Sequence, residues 1–140
     1  MAVTYILIAH STDFPLVLFP WNFTLCAMPQ RHCLTLDLKN DPMLIAEYKR
    51  YHQEVWPEIK QSLHTAGILD MEIYLLGTRM FMIIETTDSF SFVKKAELDR
   101  NNPKVMEWEA LMGKFQQPFS ADARPEARWL PMELVFKFTA

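Results

Sequence analysis

The chain has 140 residues, with 14 basic and 17 acidic side chains and a formal net charge of −3. This length suits one domain, and the charge balance supplies no basic surface for nucleic acid or for an anionic membrane. Hydrophobic residues make up 50% of the chain and charged residues 22%, which excludes a disordered protein. We therefore expect a globular domain with neither a nucleic-acid nor a membrane partner.

The first 28 residues differ from the rest, because they contain one charged side chain, Asp13, and no Lys or Arg. Pro15 and Pro20 would break a membrane-spanning helix, and a secretory signal or a transit peptide would need basic residues. We expect residues 1–28 to be an apolar extension outside the fold, with the natural start at Met28. The alternatives are an apolar arm packed on the domain or on a partner, and a weak membrane anchor.

The chain contains two cysteines, Cys26 and Cys33, which are too few for a disulfide framework. Their spacing matches no zinc motif, and no pair of histidines or carboxylates has the spacing of metal ligands. Two free thiols are typical of a reducing compartment, so we expect a cytoplasmic protein without a metal site.

The first predicted strand covers His32–Leu38, where leucines alternate with polar residues as in a half-buried strand. Asp41 and Pro42 then form a helix start, because an aspartate accepts free N–H groups and proline suits the first helical position. The helical pattern extends over residues 42–65, and Pro57 predicts a kink within it.

Two further strands, Leu69–Leu76 and Arg79–Thr86, are joined by Gly77-Thr78 and have the pattern of a β-hairpin. The remaining chain predicts, in order, a helix capped by Asp88 or Ser89 and ending near Asp99, a helix from Asn101 to about Gln116, and a strand over Glu133–Phe138.

The order of these elements is β-α-β-β-α-α-β, which is typical of a ferredoxin-like α+β fold. In this fold an antiparallel sheet carries its helices on one face and leaves the other face open. We expect the open face to be apolar and to be covered by a second copy of the chain in a homodimer. On one choice of register, the residues of this face include Cys33, Ile73, Leu75, Phe81, Ile83 and Val135.

The first helix carries a row of aromatic side chains, because Tyr48, His52 and Trp56 are spaced four residues apart on its apolar stripe. A phenol, an imidazole and an indole on one stripe indicate a sugar site, since aromatic faces pack on the C–H face of a pyranose. The alternative is a core histidine bonded to a backbone carbonyl. In the last helix, Trp108 lies on an apolar stripe and Glu109 lies at its border, as a core tryptophan and a solvated glutamate also would.

The run Glu47–Glu58 resembles the E-Y-x-x-x-H-x-x-x-W-P-E signature of the L-rhamnose mutarotase family, which includes an L-fucose mutarotase-like branch. The resemblance covers about residues 30–138. It implies that residues 29–140 form a ferredoxin-like subunit of a dimeric α/β barrel. It also implies an enzyme without a cofactor that interconverts the α and β anomers of a 6-deoxy-L-sugar.

The resemblance assigns roles to particular residues. His52 matches the family's proton donor, and Tyr48 matches a tyrosine that binds sugar. A second sugar-binding tyrosine falls at Met71, and a Trp-Trp pair falls at Trp108-Glu109. These two departures leave the acid in place and favour the fucose-like branch. The expected substrate-binding residues are Tyr48, Trp56, Met71, Trp108 and Glu109.

Mutarotation opens the hemiacetal ring, which requires a proton on the ring oxygen and removal of the proton from the anomeric hydroxyl. His52 suits the acid because imidazole titrates near neutral pH. Glu109, Glu72, Tyr48 and a bound water are the candidates for the base. Two alternative functions share the fold: a haem-degrading or monooxygenase-type protein with His52 as haem ligand, and a non-catalytic small-molecule binding module.

Overall fold

A computed structural model of the chain describes residues 28–119 and 128–140. Of residues 1–28, the structure describes only Met28. The expectation that this segment lies outside the fold therefore stays a prediction. Within the two described ranges, no helix is long and apolar enough to cross a membrane.

The described residues form one antiparallel sheet with four helices. The strands follow the order β2-β3-β1-β4, and β5 also pairs with β1. This topology confirms the predicted ferredoxin-like α+β fold. The elements are β1 (Gln30–Leu38), α1 (Pro42–Gln53), α2 (Pro57–Thr65), β2 (Ile68–Leu76), β3 (Arg79–Thr86), α3 (Phe92–Arg100), α4 (Pro103–Gly113), β4 (Gln116–Gln117) and β5 (Leu130–Pro131).

The helix starts follow local side-chain chemistry. Asp41 caps α1 by accepting the N–H of Met43 at 2.8 Å, and Asn102 caps α4 in the same way. The cap of α3 is Ser91, so the predicted caps Asp88 and Ser89 were wrong. A turn occupies those two residues, and the helix begins only after it.

The helix predicted over residues 42–65 is interrupted. It forms two helices, α1 and α2, and Pro57 is the first residue of α2. Proline has no N–H to continue the hydrogen-bond ladder, and its ring clashes with the preceding turn. The break removes Trp56 from the row that Tyr48 and His52 form on α1, because Trp56 precedes α2 instead of continuing α1.

The C-terminal part of the chain differs from the prediction. Helix α4 ends at Gly113, short of Gln116, and the chain then pairs with β1 through β4. The predicted strand Glu133–Phe138 has no regular structure, and the terminal pairing with β1 lies earlier, in β5. We call the exposed apolar residues that follow β5 the C-terminal arm; they are Leu134, Val135, Phe136 and Phe138.

The two faces of the sheet follow from its register. Ile73, Met82 and Leu34 are aligned across β2, β3 and β1, and all three pack on the helix-covered face. Leu75 is aligned with the fully buried Met80 on the same face. The assignment of Ile73 and Leu75 to the open face was therefore wrong. Cys33, Phe81 and Ile83 do lie on the open face, and Val135 lies in the C-terminal arm.

Candidate active site

A cavity of about 280 Å³ lies between the helix-covered face of the sheet and the helices. Sites for small molecules commonly measure about 300–1,000 Å³, so this cavity suits a ligand at the small end of that range. One part of its wall is apolar and comes mainly from the sheet and from α2. Its members include Leu34, Ile59, Leu63, Ile68, Met82 and Ile84.

The polar part of the cavity contains four of the predicted site residues. Tyr48 and His52 come from α1, and Trp108 and Glu109 come from α4. Helix α1 holds Tyr48 and His52 one turn apart, so their rings stack with centroids 4.2 Å apart. The ring of Trp108 contacts His52 edge-on at 5.6 Å. The fold therefore brings an imidazole, a phenol, an indole and a carboxyl group to one cavity.

The orientation of His52 is set by one hydrogen bond. Its Nδ1–H donates to the carbonyl oxygen of Tyr48 at 3.0 Å. A carbonyl only accepts, so the proton resides on Nδ1 and Nε2 is left as the atom that exchanges protons. Burial lowers the pKa of His52, and the bond to the Tyr48 carbonyl partly opposes this effect. The carbonyl bond expected of a core histidine is present, yet His52 also lines the cavity.

The phenol of Tyr48 is buried in the cavity wall. Burial raises its pKa well above the usual range, and the negative charge of Glu109 raises it further. The phenol therefore keeps its proton at neutral pH. In this state it offers one O–H donor and two acceptor lone pairs to a hydroxyl group in the cavity.

Glu109 lies on the cavity side of α4 and is largely shielded from solvent. Burial raises the pKa of its carboxyl group, Lys95 and Arg128 lower it, and Asp99 raises it. Glu72 is on the opposite face of the sheet, where its carboxylate accepts the O–H of Tyr74 at 3.0 Å. The structure thus brings Glu109 to the cavity and places Glu72 away from it.

The remaining predicted contacts separate into two groups. Met71 lines the cavity from β2, next to its apolar wall. Trp56 is not among the lining residues; it precedes α2 and packs edge-on against Trp108, with ring centroids 5.2 Å apart. The ammonium group of Lys104 lies over the Trp56 ring, with Nζ 5.5 Å from the ring centroid. Trp56 therefore supports Trp108 from behind.

Sequence reasoning missed a second polar group in the cavity wall. Lys95 and Asp99 form an ion pair one turn apart on α3, and the hydroxyl of Ser62 donates to Asp99 at 3.3 Å. The i, i+4 spacing of Lys95 and Asp99 was the available signal. It does not distinguish a solvated helix face from a cavity wall.

Arg128 was also missed, and it joins β5 to the end of α4. Its guanidinium donates to the carbonyl oxygen of Glu109 at 3.3 Å and to Oε1 of the buried Gln116 at 3.1 Å. Gly113 makes this approach possible, since a Cβ there would lie 2.1 Å from Nη1 of Arg128. A cation also suits the carbonyl end of a helix. No local sequence pattern marks a contact across 19 residues.

Among the described residues, no group of three His, Cys, Asp or Glu side chains is placed to hold a metal ion. The polar groups of the cavity include one imidazole, one phenol, two carboxyl groups and three cationic side chains. Such a set binds hydroxyl groups and transfers protons between oxygen atoms.

Comparison with known proteins places this chain in a family. The sequence profile described as L-rhamnose mutarotase matches residues 31–138. An L-fucose mutarotase from Xanthomonas campestris pv. campestris is 39% identical over 109 residues, which are 76% of this chain and 86% of that protein.

Solved structures share the fold. The crystal structure of an L-rhamnose mutarotase from Formosa agariphila superposes with a TM-score of 0.58 at 23% identity, covering 79% of this chain and 99% of that one. A dimeric ferredoxin-like protein from an uncultured marine organism superposes with a TM-score of 0.50 at 17% identity, covering 81% and 93%.

Proposed function

Because the chain belongs to the L-rhamnose mutarotase family, whose members are carbohydrate isomerases, we propose that it interconverts the α and β anomers of a 6-deoxy-L-hexose, L-fucose or L-rhamnose. The observation that carries this proposal is the position of His52. It lines a cavity of monosaccharide-like size, in contact with Tyr48 and Trp108.

In the proposed reaction, His52 is the general acid that protonates the ring oxygen through Nε2. The bond from Nδ1–H to the Tyr48 carbonyl supports this role, because it fixes the ring and leaves Nε2 for the substrate. Well-placed acid–base catalysis is worth about 10²–10⁴-fold. That gain is adequate for a reaction that already proceeds in water, and the step requires no cofactor.

The division of the cavity into an apolar and a polar part supports a 6-deoxy sugar. A methyl group in place of a hydroxymethyl group needs an apolar neighbour, and the wall around Ile68 and Ile84 provides one. The hydroxyl groups then face Tyr48 and Glu109. Met71 and Glu109 stand where the rhamnose enzymes carry aromatic residues, which favours L-fucose over L-rhamnose.

The proposal is tested by anomer exchange measured with saturation-transfer NMR on L-fucose, L-rhamnose and D-galactose. We expect acceleration with at least one 6-deoxy-L-sugar and little with D-galactose, which has the opposite configuration and carries a hydroxymethyl group. His52→Ala is expected to reduce the enzymatic rate by about 10²–10⁴-fold without loss of the fold. His64→Ala is the matched control, since His64 is exposed near the end of α2.

Two results would contradict the proposal. Binding of the sugars without faster exchange would favour a non-catalytic binding module. A Soret band on titration with haem, lost in His52→Ala, would favour the haem-binding alternative. Retention of full exchange in His52→Ala would leave the family assignment intact and remove His52 as the acid.

We further propose that the protein forms a homodimer through the open face of the sheet. Phe81, Ile83 and Cys33 are only half-buried there, and Leu76 and Tyr74 are exposed. The C-terminal arm adds apolar side chains with exposed fractions of up to 91%. Contiguous apolar surface of this kind is typical of an interface between subunits. The cytoplasmic location expected from the cysteines stays a prediction.

A further inference from the structure

We propose that Glu109 is the second proton-transfer residue of the site and that it shares one proton with His52 during the reaction. This inference rests on the proposed mutarotase function. It gives the carboxyl group a chemical task beyond contact with the sugar, and it names the base that mutarotation requires in addition to an acid.

Two of the other candidates for the base are eliminated, Glu72 by its placement and Tyr48 by the burial of its phenol. Glu72 lies on the open face of the sheet and is separated from the cavity by the strands. Tyr48 lies in the cavity, but its buried phenol holds its proton too tightly to act as a base at neutral pH. Of the two carboxyl groups that line the cavity, Asp99 is paired with Lys95, and Glu109 is the one whose charge acts on the Tyr48 phenol.

The backbone of α4 places Glu109 beside the proposed acid. Trp108 and Glu109 are consecutive, and the Trp108 ring contacts the His52 imidazole at 5.6 Å. The charge of Glu109 acts on the Tyr48 phenol, whose ring stacks on His52 at 4.2 Å. Glu109 and His52 therefore line the same cavity as Tyr48, and we infer that a monosaccharide bound there contacts both.

The surroundings of Glu109 allow its carboxyl group both to hold and to release a proton. Burial and the neighbouring Asp99 favour the protonated form, whereas Lys95 and Arg128 favour the carboxylate. Lys95 also pairs with Asp99, so its charge acts on both carboxyl groups of the cavity. The charged or titratable side chains that line the cavity beside Glu109 and His52 are Tyr48, Lys95, Asp99, Arg100 and Arg128.

The proton balance closes over one cycle. On ring opening, Nε2 of the His52 imidazolium protonates the ring oxygen as the C1–O5 bond breaks. The Glu109 carboxylate takes the proton of the anomeric hydroxyl, whose O–H electron pair forms the C1=O bond. The open chain rotates about C1–C2. On ring closure Glu109 returns its proton to the carbonyl oxygen, and His52 recovers its proton from the O5 hydroxyl.

In the active form His52 is protonated and Glu109 is ionised, so this pair holds one proton. We therefore expect a bell-shaped pH profile for kcat. Its acidic side reports Glu109, whose raised pKa lies above the ordinary 4.5. Its alkaline side reports His52, whose lowered pKa lies below the ordinary 6.5. The maximum is therefore expected on the acidic side of neutrality.

The test is Glu109→Gln, assayed for anomer exchange across the pH range with the sugar that the wild-type enzyme turns over fastest. We expect kcat to fall about 100-fold with little change in KM. We also expect the acidic side of the profile to disappear, because an amide does not titrate. Glu107→Gln is the matched control, since Glu107 is exposed on the same helix and pairs with Lys104 at the surface.

A second variant keeps the proposal testable if Glu109→Gln folds poorly. Lys95 lowers the pKa of Glu109, so Lys95→Met is expected to raise that pKa and to shift the acidic side of the profile upward in pH. A role of Lys95 in stability alone would not move it.

The outcomes separate this inference from the function on which it rests. Wild-type protein that accelerates no sugar would overturn both. Active wild-type protein with normal kcat and an intact acidic side in Glu109→Gln would overturn only the role of Glu109. An increase of KM alone would reduce Glu109 to a sugar-binding residue and would equally overturn the inference.

Discussion

The two faces of the sheet use the same strands for different purposes. On the helix-covered face, Ile84 and Met82 are buried and wall the cavity. On the open face, Ile83 and Phe81 alternate with them and are only half-buried. Surface ion pairs flank this apolar centre, namely Arg31 with Glu85 and Arg79 with Asp37.

Alternation of side chains along a strand makes this division possible, because successive residues point to opposite faces. The chemistry of the covered face is enclosed by helices, whereas the open face is free to associate. Adjacent residues on one strand therefore have separate surroundings, namely the core and the cavity on one side and the surface proposed for assembly on the other.

The largest expected difference is between Ile84→Ala and Ile83→Ala, which remove the same atoms from neighbouring positions. Ile84 is 2% exposed, so its truncation leaves a cavity in the core and is expected to cost about 2–5 kcal/mol of unfolding free energy. Ile83→Ala is expected to cost about 1 kcal/mol or less in the monomer. Urea unfolding at several protein concentrations measures both. Equal losses would show that the open face is as well packed as the core.

Ile83→Lys is expected to change the free energy of unfolding less than Ile84→Ala does, and its main effect is expected on the oligomeric state. The substitution places a charge at the centre of the open face, where a partner subunit would have to bury it. We expect the mass measured by light scattering to fall from dimer to monomer while the fold is kept. Val93→Lys, at an exposed position on α3, is the matched control and should leave the dimer intact. Persistence of the dimer in Ile83→Lys would place the interface elsewhere.

Much of the fold was readable because local chemistry determined it. Asp41 and Asn102, each followed by proline, mark two helix starts that the structure reproduces. The sequence does not show which face of the sheet each β2 residue occupies. Tyr74 and Leu76 are large hydrophobic side chains, as are Ile73 and Leu75. Alternation therefore could not tell its two faces apart, and only pairing with β3 does so.

The candidate site divides in the same way. Tyr48 and His52 were found because they lie one helical turn apart, a relation that sequence spacing preserves. Trp56 was placed in their row because the prediction allowed a kink at Pro57 rather than a break. Lys95 reaches the cavity through the packing of α3, and Arg128 reaches it from the segment before β5. No local pattern encodes such contacts.

The smallest expected effect is on the pH dependence of stability, which changes because the helix-covered face encloses the carboxyl group of Glu109. The pKa of Glu109 is higher in the folded protein than its ordinary value of 4.5, so folding favours the protonated form. The resulting stabilisation is complete below that ordinary value and is lost as the pH rises through the raised pKa. Glutamine at this position has no proton to lose.

We therefore expect the stability of Glu109→Gln to increase relative to wild type as the pH rises from about 4 to about 8, as measured by thermal unfolding across that range. Glu107→Gln, which removes an exposed carboxylate from the same helix, is the matched control. The variant that loses catalysis would then gain stability at neutral pH, as expected where a buried ionisable group is kept for function. A constant difference across the range would mean that Glu109 is solvated like the side chains of the open face, and the contrast between the two faces would then be one of packing alone.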